Sequence, residues 1–279
     1  SILTGTIDID NLVNKAVEFG MPAVGLTDHA NMYGAYKFID SVNKHPINSN
    51  NQTALKAVMG CELSVCKDHT NKNVRDDGFQ VPFLCKNKLG FHNLAKLSSV
   101  ANTSGFYYLP RVDKDLISKH RQGLIALTGS IYGIIPNLIL NVGEKQAEEE
   151  FKWWVQEFGE DFYVEINRHN LDEEKYVNKI LIDFATKYNI KVIASNNVYY
   201  LSQEDSNAHD ILLCVKDGQQ QATPIGKGRG YRYGFPNDEF YFKSSDQMRK
   251  IFVDLPEAID NLTELISKIE PYSLERDVL

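Results

Sequence analysis

The sequence predicts an α/β fold: a mainly parallel sheet, open or closed into a barrel, with helices packed against it. Three observations carry this reading. Strand-length apolar runs alternate with amphipathic helical stretches over most of the 279 residues. The run 124–129, LIALTG, is apolar throughout, as a strand buried on both faces must be. Asp28 and His29 directly follow the short strand Ala23–Thr27, the strand end at which α/β proteins keep polar side chains.

In chain order, residues 8–20 place Ile9, Leu12, Val13, Ala16 and Val17 on one helical face, with Gly20 as the stop. The strand at 23–28 leads through a turn into a helix from about Gly34 to Asn43, and residues 44–54 form a polar loop. Residues 57–66, AVMGCELSVC, form a strand. Its alternation sets Gly60, Glu62 and Ser64 on one face and Cys61, Leu63 and Val65 on the other. A strand at 80–85 and a helix at 89–102 follow, and 105–123 reads as irregular. After the strand at 124–129 come short helices near 131–141 and 144–158. The strand 162–169 then puts Tyr163, Glu165, Asn167 and His169 on one side. A helix over about 172–188, a strand over 191–197 and a helix near 203–216 complete the regular part. Residues 215–238 are a Gly-rich insertion loop, and 239–279 supply a last strand and helices.

Composition sets limits on function. A formal net charge of −7 argues against a protein that grips nucleic acid over its whole surface, while leaving room for a local basic patch. Cys61, Cys66, Cys85 and Cys214 form no C-x-x-C pair, which suits reduced core thiols and a cytoplasmic setting. No apolar run approaches the roughly 20 residues needed to span a bilayer, so no membrane partner is expected. The N-terminus SILTGTIDID lacks a basic start and a long apolar segment, so no signal peptide is expected there.

The strand ends form a pattern. Asp28 and His29, His169 and Asn197 close strands, Glu62 sits late in the second, and His209 lies on the helix after the last of these. In a β/α barrel such ends meet at one rim. Two carboxylates and three imidazoles from separate connections are donors for Zn²⁺, Mn²⁺ or Fe. Each alone has a plainer reading: a strand-end Asp caps the next helix, and a lone His is more often a hydrogen-bonded packing residue than a ligand. Glu62 facing a barrel interior weighs more, since a lone buried carboxylate is costly.

The stretches GLTDHANMYGAYKF, MGCELSV, GFHNLAKLSS, GLIALTGS, FYVEINRHN, ASNNVYYLSQEDSNAHDILL and DEFYFKSSDQM resemble the polymerase-and-histidinol-phosphatase (PHP) domain. The likeness is to the form found at the N-terminus of bacterial DNA polymerase III alpha subunits, and it covers nearly the whole chain, 1–279, as a single domain. It implies a distorted seven-stranded, TIM-like β/α barrel whose rim, in intact members, binds a cluster of up to three divalent metals (Zn, Mn or Mg) and supports phosphoester hydrolysis. Asp28 and His29 match the family's T-D-H motif and Glu62 its G-x-E motif. His169 and His209 match two later ligand positions. Other positions depart from the pattern: Gln80 stands for a His, Ser130 for a Cys and Asn197 for an Asp, and the opening H-x-H does not occur after Ser1.

The resemblance therefore implies a barrel with its first strand missing, an exposed edge and a partly degenerate metal site, with no residue assigned a catalytic role. It also implies partners: the remainder of a polymerase alpha subunit, a proofreading exonuclease subunit, and DNA only indirectly. The rival expectation is an active metal-dependent phosphoesterase or 3′–5′ exonuclease. In the Gly-rich loop, Lys227, Arg229 and Arg232 interleave with Tyr231 and Tyr233, a mixture that can bind phosphates and stack on bases. The plainer reading, a solvated surface loop, is favoured there.

Overall fold

A computed structural model describes residues 3–49 and 54–275. Ser1 and residues 50–53 of the expected 44–54 loop lie outside the described residues, as do 276–279. The chain runs α1 (Ile9–Glu18), β1 (Ala23–His29), α2 (Ala35–Asn43), α3 (Pro46–Ser49), β2 (Lys56–Cys66), β3 (Phe79–Cys85), α4 (Lys88–Asn102), β4 (Arg111–Asp113), α5 (Lys114–His120), β5 (Leu124–Leu127), α6 (Ile134–Asn141), α7 (Glu144–Phe158), β6 (Phe162–Asn167), α8 (Asp172–Tyr188), β7 (Val192–Ser195), α9 (Ser206–Asp217), α10 (Ser245–Ile251) and α11 (Glu257–Ser267).

The sheet order is β1-β2-β3-β5-β6-β7, with β4 paired to β2 beyond the end of β1. β1, β2, β5, β6 and β7 lie parallel to their like neighbours, and β3 alone runs antiparallel to both β2 and β5. The reversal has a consequence for the mouth. The first residues of β3, not its last, lie beside the last of β2, so Gln80 sits across from Ser64. Curled this way, the strands make a half-barrel. β1 and β7 do not pair among the described residues, and on the inner face of β1 Gly25 and Thr27 are exposed.

Strand alternation divides the core into layers. Outward-facing Cys61, Leu63, Val65, Val81, Phe83, Cys85, Val164 and Ile166 pack under α4 to α8, where Trp154 stacks against Phe158 and Phe162. On the other flank Leu12, Val13 and Ala16 of α1 and Phe38, Ile39 and Val42 of α2 cover Val24 and Met59. Inward-facing Val58, Leu84, Ile125, Leu127, Tyr163 and Ile193 form an apolar floor, which Leu265 and Ile269 close from below. Lys56 Nζ fixes this plug by donating to the carbonyls of Ile266 and Ile269 (3.1 and 3.0 Å), at and just past the end of α11. All four cysteines are free and buried, and burial pushes the Cys66 thiol up to about 11, so these are inert packing groups. No helix is long and apolar enough to cross a membrane.

Three local expectations are corrected. Residues 105–123 contain β4 and α5, hidden in the sequence because β4 is three residues long and begins with a charge. The polar 44–54 loop contains α3. The last strand expected within 239–279 is a single bridge, Tyr200 to Tyr241, where the backbone bonds Tyr199 N to Phe240 O and Phe242 N to Tyr200 O join it to its neighbour.

The β2–β3 connection is organised by one fully buried guanidinium. Arg111 donates to the carbonyls of Gly105 (3.2 Å), Asp76 (3.0 Å), His69 (3.3 Å) and Asn71 (3.0 Å). Beside it, Asp113 accepts from the backbone and ring of His69 and caps α5 through Leu116 N (2.9 Å). Burial alone would raise the Asp113 carboxyl, but the hydrogen bonds from His69 and Leu116 outweigh it and hold the group below its ordinary value.

Two outcomes are expected. Arg111→Met removes a fully buried guanidinium and its bonds to four carbonyls, and costs at least about 3 kcal/mol in urea denaturation, with limited proteolysis cutting first between residues 67 and 78. Asp113→Asn costs about 1–2 kcal/mol at neutral pH. Because a depressed carboxyl stabilises only while ionised, the gap to the wild type should close as pH falls below about 4. Melts at pH 7 and pH 3 compare the two.

Candidate functional site at the barrel mouth

Above the apolar floor the interior turns polar. Cys61, Leu63 and Val65 face the helices, so Glu62 between them faces inward. His29 is its register partner on β1, and His29 Nδ1 lies 3.4 Å from Glu62 Oε2. On β6, Val164 and Ile166 face the helices while Tyr163 joins the floor, which puts Glu165 and Asn167 inward and nearer the mouth. Both are buried, at 5 % and 3 % exposure. Glu165 Oε2 and both amide atoms of Asn167 have no hydrogen-bond partner of ordinary geometry. Burial pushes the Glu165 carboxyl up; a hydrogen bond from Ser195 opposes it, and the charge of Glu62 adds to the rise. Thr128 holds the strand by accepting from Glu165 N at 2.9 Å.

His169 is buried on both nitrogens. Glu174, in the first turn of α8, takes the ring through Oε1 to Nδ1 (2.7 Å) and accepts from the His169 backbone N–H (2.5 Å). On the other side Nε2 meets Asn196 Oδ1 at 3.1 Å and accepts from Asn197 N at 3.2 Å. Phe240 stacks on the ring at 4.5 Å and 2°. His209 lies apart in an aromatic box of Tyr199, Tyr200 and Phe235. Its Nε2 donates to Thr4 O at 2.9 Å, and burial lowers its pKa.

Asp28 shares the outward parity of its register partner Cys61. Its carboxylate lies towards the start of α2, where a Cβ on Gly34 would come within 3.2 Å of Oδ2. The structure thus brings His29, Glu62 and Glu165 to the interior side of the mouth with His169 beside them; Asp28 has the outward parity, and His209 reaches His169 only through Phe235 and Phe240. Among the described residues, the one set of three His, Cys, Asp or Glu whose donor atoms all lie within 4.8 Å is Asp68, His69 and Asp113. That set is the hydrogen-bonded clasp of the β2–β3 connection. Gln80 donates its backbone N–H to Tyr132 O (3.1 Å), and Ser130 accepts from Tyr132 N through its hydroxyl (3.4 Å), so both shape the turn after β5.

The Gly-rich segment after α9 is a strap across this mouth. Arg232 is buried and bidentate to Asp210 (2.6 and 2.8 Å), and it donates to the carbonyls of Thr223, Tyr233 and Gln221. It is a tether, with no guanidinium face left for phosphate. Lys227 and Arg229 are exposed. Phe235 packs between His209 and Phe240 (4.8 and 4.3 Å), and Asn237 Nδ2 donates to His169 O at 2.6 Å. Burial pushes the phenol of Tyr233 up to about 12.

Sequence reasoning missed four contributors. Glu165 and Asn167 were legible as inward by parity, but nothing marked them as unpartnered. Glu174 carried a weak signal, a carboxylate in the helical turn after a strand-end His. Asn196, not Asn197, presents its side chain to His169.

With this geometry in place, comparison with known proteins gives a consistent result. Residues 1–169 match the PHP domain family. The chain is 34 % identical over 278 residues to DNA polymerase III subunit alpha of Borreliella burgdorferi, covering 98 % of this chain and 23 % of that protein. It is 36 % identical over 273 residues to the subunit of the same name in Treponema pallidum, covering 96 % and 22 %. It is 33 % identical over 280 residues to the one in Helicobacter pylori, covering 96 % and 22 %. The chain therefore spans less than a quarter of the length of these relatives. An α/β half-barrel with polar strand ends at its mouth, and a family match over 169 of its 279 residues, have one conclusion: this chain belongs to the PHP domain family.

Proposed function

We propose that the chain is the N-terminal part of a DNA polymerase III alpha subunit, acting within it as a structural and docking domain. It spans residues 1–279 as one domain, with the Gly-rich insertion 215–238, whose first three residues still belong to α9, as a strap. Similarity over 96–98 % of the chain to the alpha subunits of Borreliella burgdorferi and Treponema pallidum supports the parentage. One observation carries the structural role: the imidazoles that would serve as metal ligands are already engaged within the chain. His169 is held by Glu174, Asn196 and Asn197, and His209 by Thr4. A three-metal cluster does not fit a mouth whose donors are spent this way. In this reading the domain braces the remainder of the alpha subunit, receives a proofreading exonuclease subunit, and meets DNA only through the assembly.

Glu62 and Glu165, whose Oε2 atom has no hydrogen-bond partner, offer carboxylate oxygens that fit a single divalent cation. Such an ion, when bound, would supply charge neutralisation inside the barrel. His29 orients Glu62 from one side, and Asn167 lies next to Glu165 on the same strand face. The rival reading, hydrolysis of phosphoesters, draws on the same donors.

The chain is expected to give no hydrolysis of bis-p-nitrophenyl phosphate or of a 3′-labelled oligonucleotide in Mg²⁺, Mn²⁺ or Zn²⁺ above that of His29→Ala. It is expected to co-elute with the exonuclease subunit of its own organism. Turnover that His29→Ala abolishes would establish the phosphoesterase instead, and failure to co-elute would remove the docking role.

A further inference from the structure

The strap runs against the acidic balance of the chain. Residues 218–237 contain no Asp or Glu, yet carry Lys227, Arg229 and Arg232 in a protein of net charge −7. Asp210 neutralises Arg232, so the charge left over sits on Lys227 and Arg229. Both are exposed, and among the described residues neither forms an ion pair. The tether that spends Arg232 also frames the loop presenting the other two. Arg232 N donates to Pro224 O (2.9 Å) and Gly226 N to Arg232 O (3.1 Å), while Gln221 Nε2 ties the base of the loop to Asn207 and Asp210 of α9 (2.8 and 3.0 Å). At the tip, Tyr231 N donates to Gly228 O (3.3 Å), and Gly228 and Gly230 take φ of +91° and +89° on either side of Arg229. A Cβ on either glycine would meet nothing within 4 Å, so the backbone there faces open space. Among the described residues, the N–H groups of residues 227–230 have no partner within the chain. Successive N–H groups in a turn whose φ alternates in sign form a concavity that takes anions. Beside it Tyr231 is 53 % exposed, its ring lying against Gly226, which has no Cβ to push it away.

We propose that the strap tip, residues 226–231, binds single-stranded DNA. Lys227, Arg229 and the open N–H groups take backbone phosphates, and Tyr231 stacks on an unpaired base. An exposed ring beside two cations suits a single strand, since the bases of a duplex are already stacked on one another. The sequence alone favours a solvated loop here; the tether that gives the tip a fixed frame is visible only in the fold. Two phosphate contacts are too few to recruit a strand at physiological salt, so the tip acts on a strand that the assembly already holds nearby. This adds a contact to the docking role proposed above and does not depend on the exonuclease subunit.

Fluorescence anisotropy of a labelled oligothymidylate, titrated with the chain between about 20 and about 200 mM NaCl, tests this. In Lys227→Ala/Arg229→Ala the slope of log K against log salt should be shallower by about 1.4, so that a tenfold rise in salt costs the wild type about 25-fold more affinity than the variant. Complete loss of binding in that variant alone would support the proposal equally. Lys88→Ala/Lys96→Ala removes two exposed cations from α4 and should leave the slope unchanged. Tyr231→Leu should weaken binding about fivefold or more without altering the slope, and Tyr231→Phe should restore it. A strand carrying iododeoxyuridine should photo-crosslink to Tyr231. All the substituted side chains are exposed, and circular dichroism should show each variant folded. Absence of binding to the wild type at the lowest salt would overturn the proposal. So would equal slopes in the strap and α4 variants, or crosslinks that bypass Tyr231. Equal competition by polyglutamate would also overturn it, because the tip would then be a patch for acidic protein. None of these outcomes bears on co-elution with the exonuclease subunit, so the two proposals fail independently.

Discussion

Every polar group at the mouth depends on the two-residue period of β2 and β6. Sliding β2 by one position would turn Cys61 and Leu63 inward and drive Glu62 into the packed layer under α4. Sliding β6 would exchange Glu165 for Val164 or Ile166 in the same way. The penalty on each side is large, because an apolar layer would receive a carboxylate and the interior would receive a branched aliphatic chain. Register is therefore fixed by the outer core, and the inner face accepts whatever polar residues that register leaves it. The unpartnered atoms of Glu165 and Asn167 are a product of this division of labour.

The antiparallel β3 and the plug at α11 complete the frame. β3 carries the start of its strand, rather than its end, to the mouth, which is how Gln80 reaches the rim. Leu265 and Ile269 press on the floor from below, so the chamber has one open end. Two glycines show how tightly α4 is set against the start of β5. A Cβ on Gly90 would come within 1.9 Å of Gly123 O, and Gly123 itself sits at φ +77°.

That strap changes what the mouth is. Phe235 and Phe240 put aromatic surface against His209 and His169, and Arg232 anchors the segment to α9 through Asp210. A histidine stacked on a phenylalanine and clamped by Glu174 is a packing element with fixed hydrogen bonds. The same residue type at the same strand end can be a ligand in one setting and a strut in another. Its neighbours decide, not its position.

The sequence alone determined the α/β class, the strand and helix order, the inward parity of Glu62 and Glu165, and the kinship with PHP domains. These follow from local periodicity and short motifs, which are written residue by residue. It did not determine β4 and α5, whose few residues carry no period, or the single bridge standing in place of the last strand expected within 239–279. Nor could it decide that Arg232 is a buried tether, that Glu174 clamps His169, or that Asp28 turns away from Glu62. Each of these pairs residues far apart in sequence or depends on which face of a strand looks at which layer. Only folding the sheet sets such distances, because the free energy that chooses a partner comes from burying both groups together.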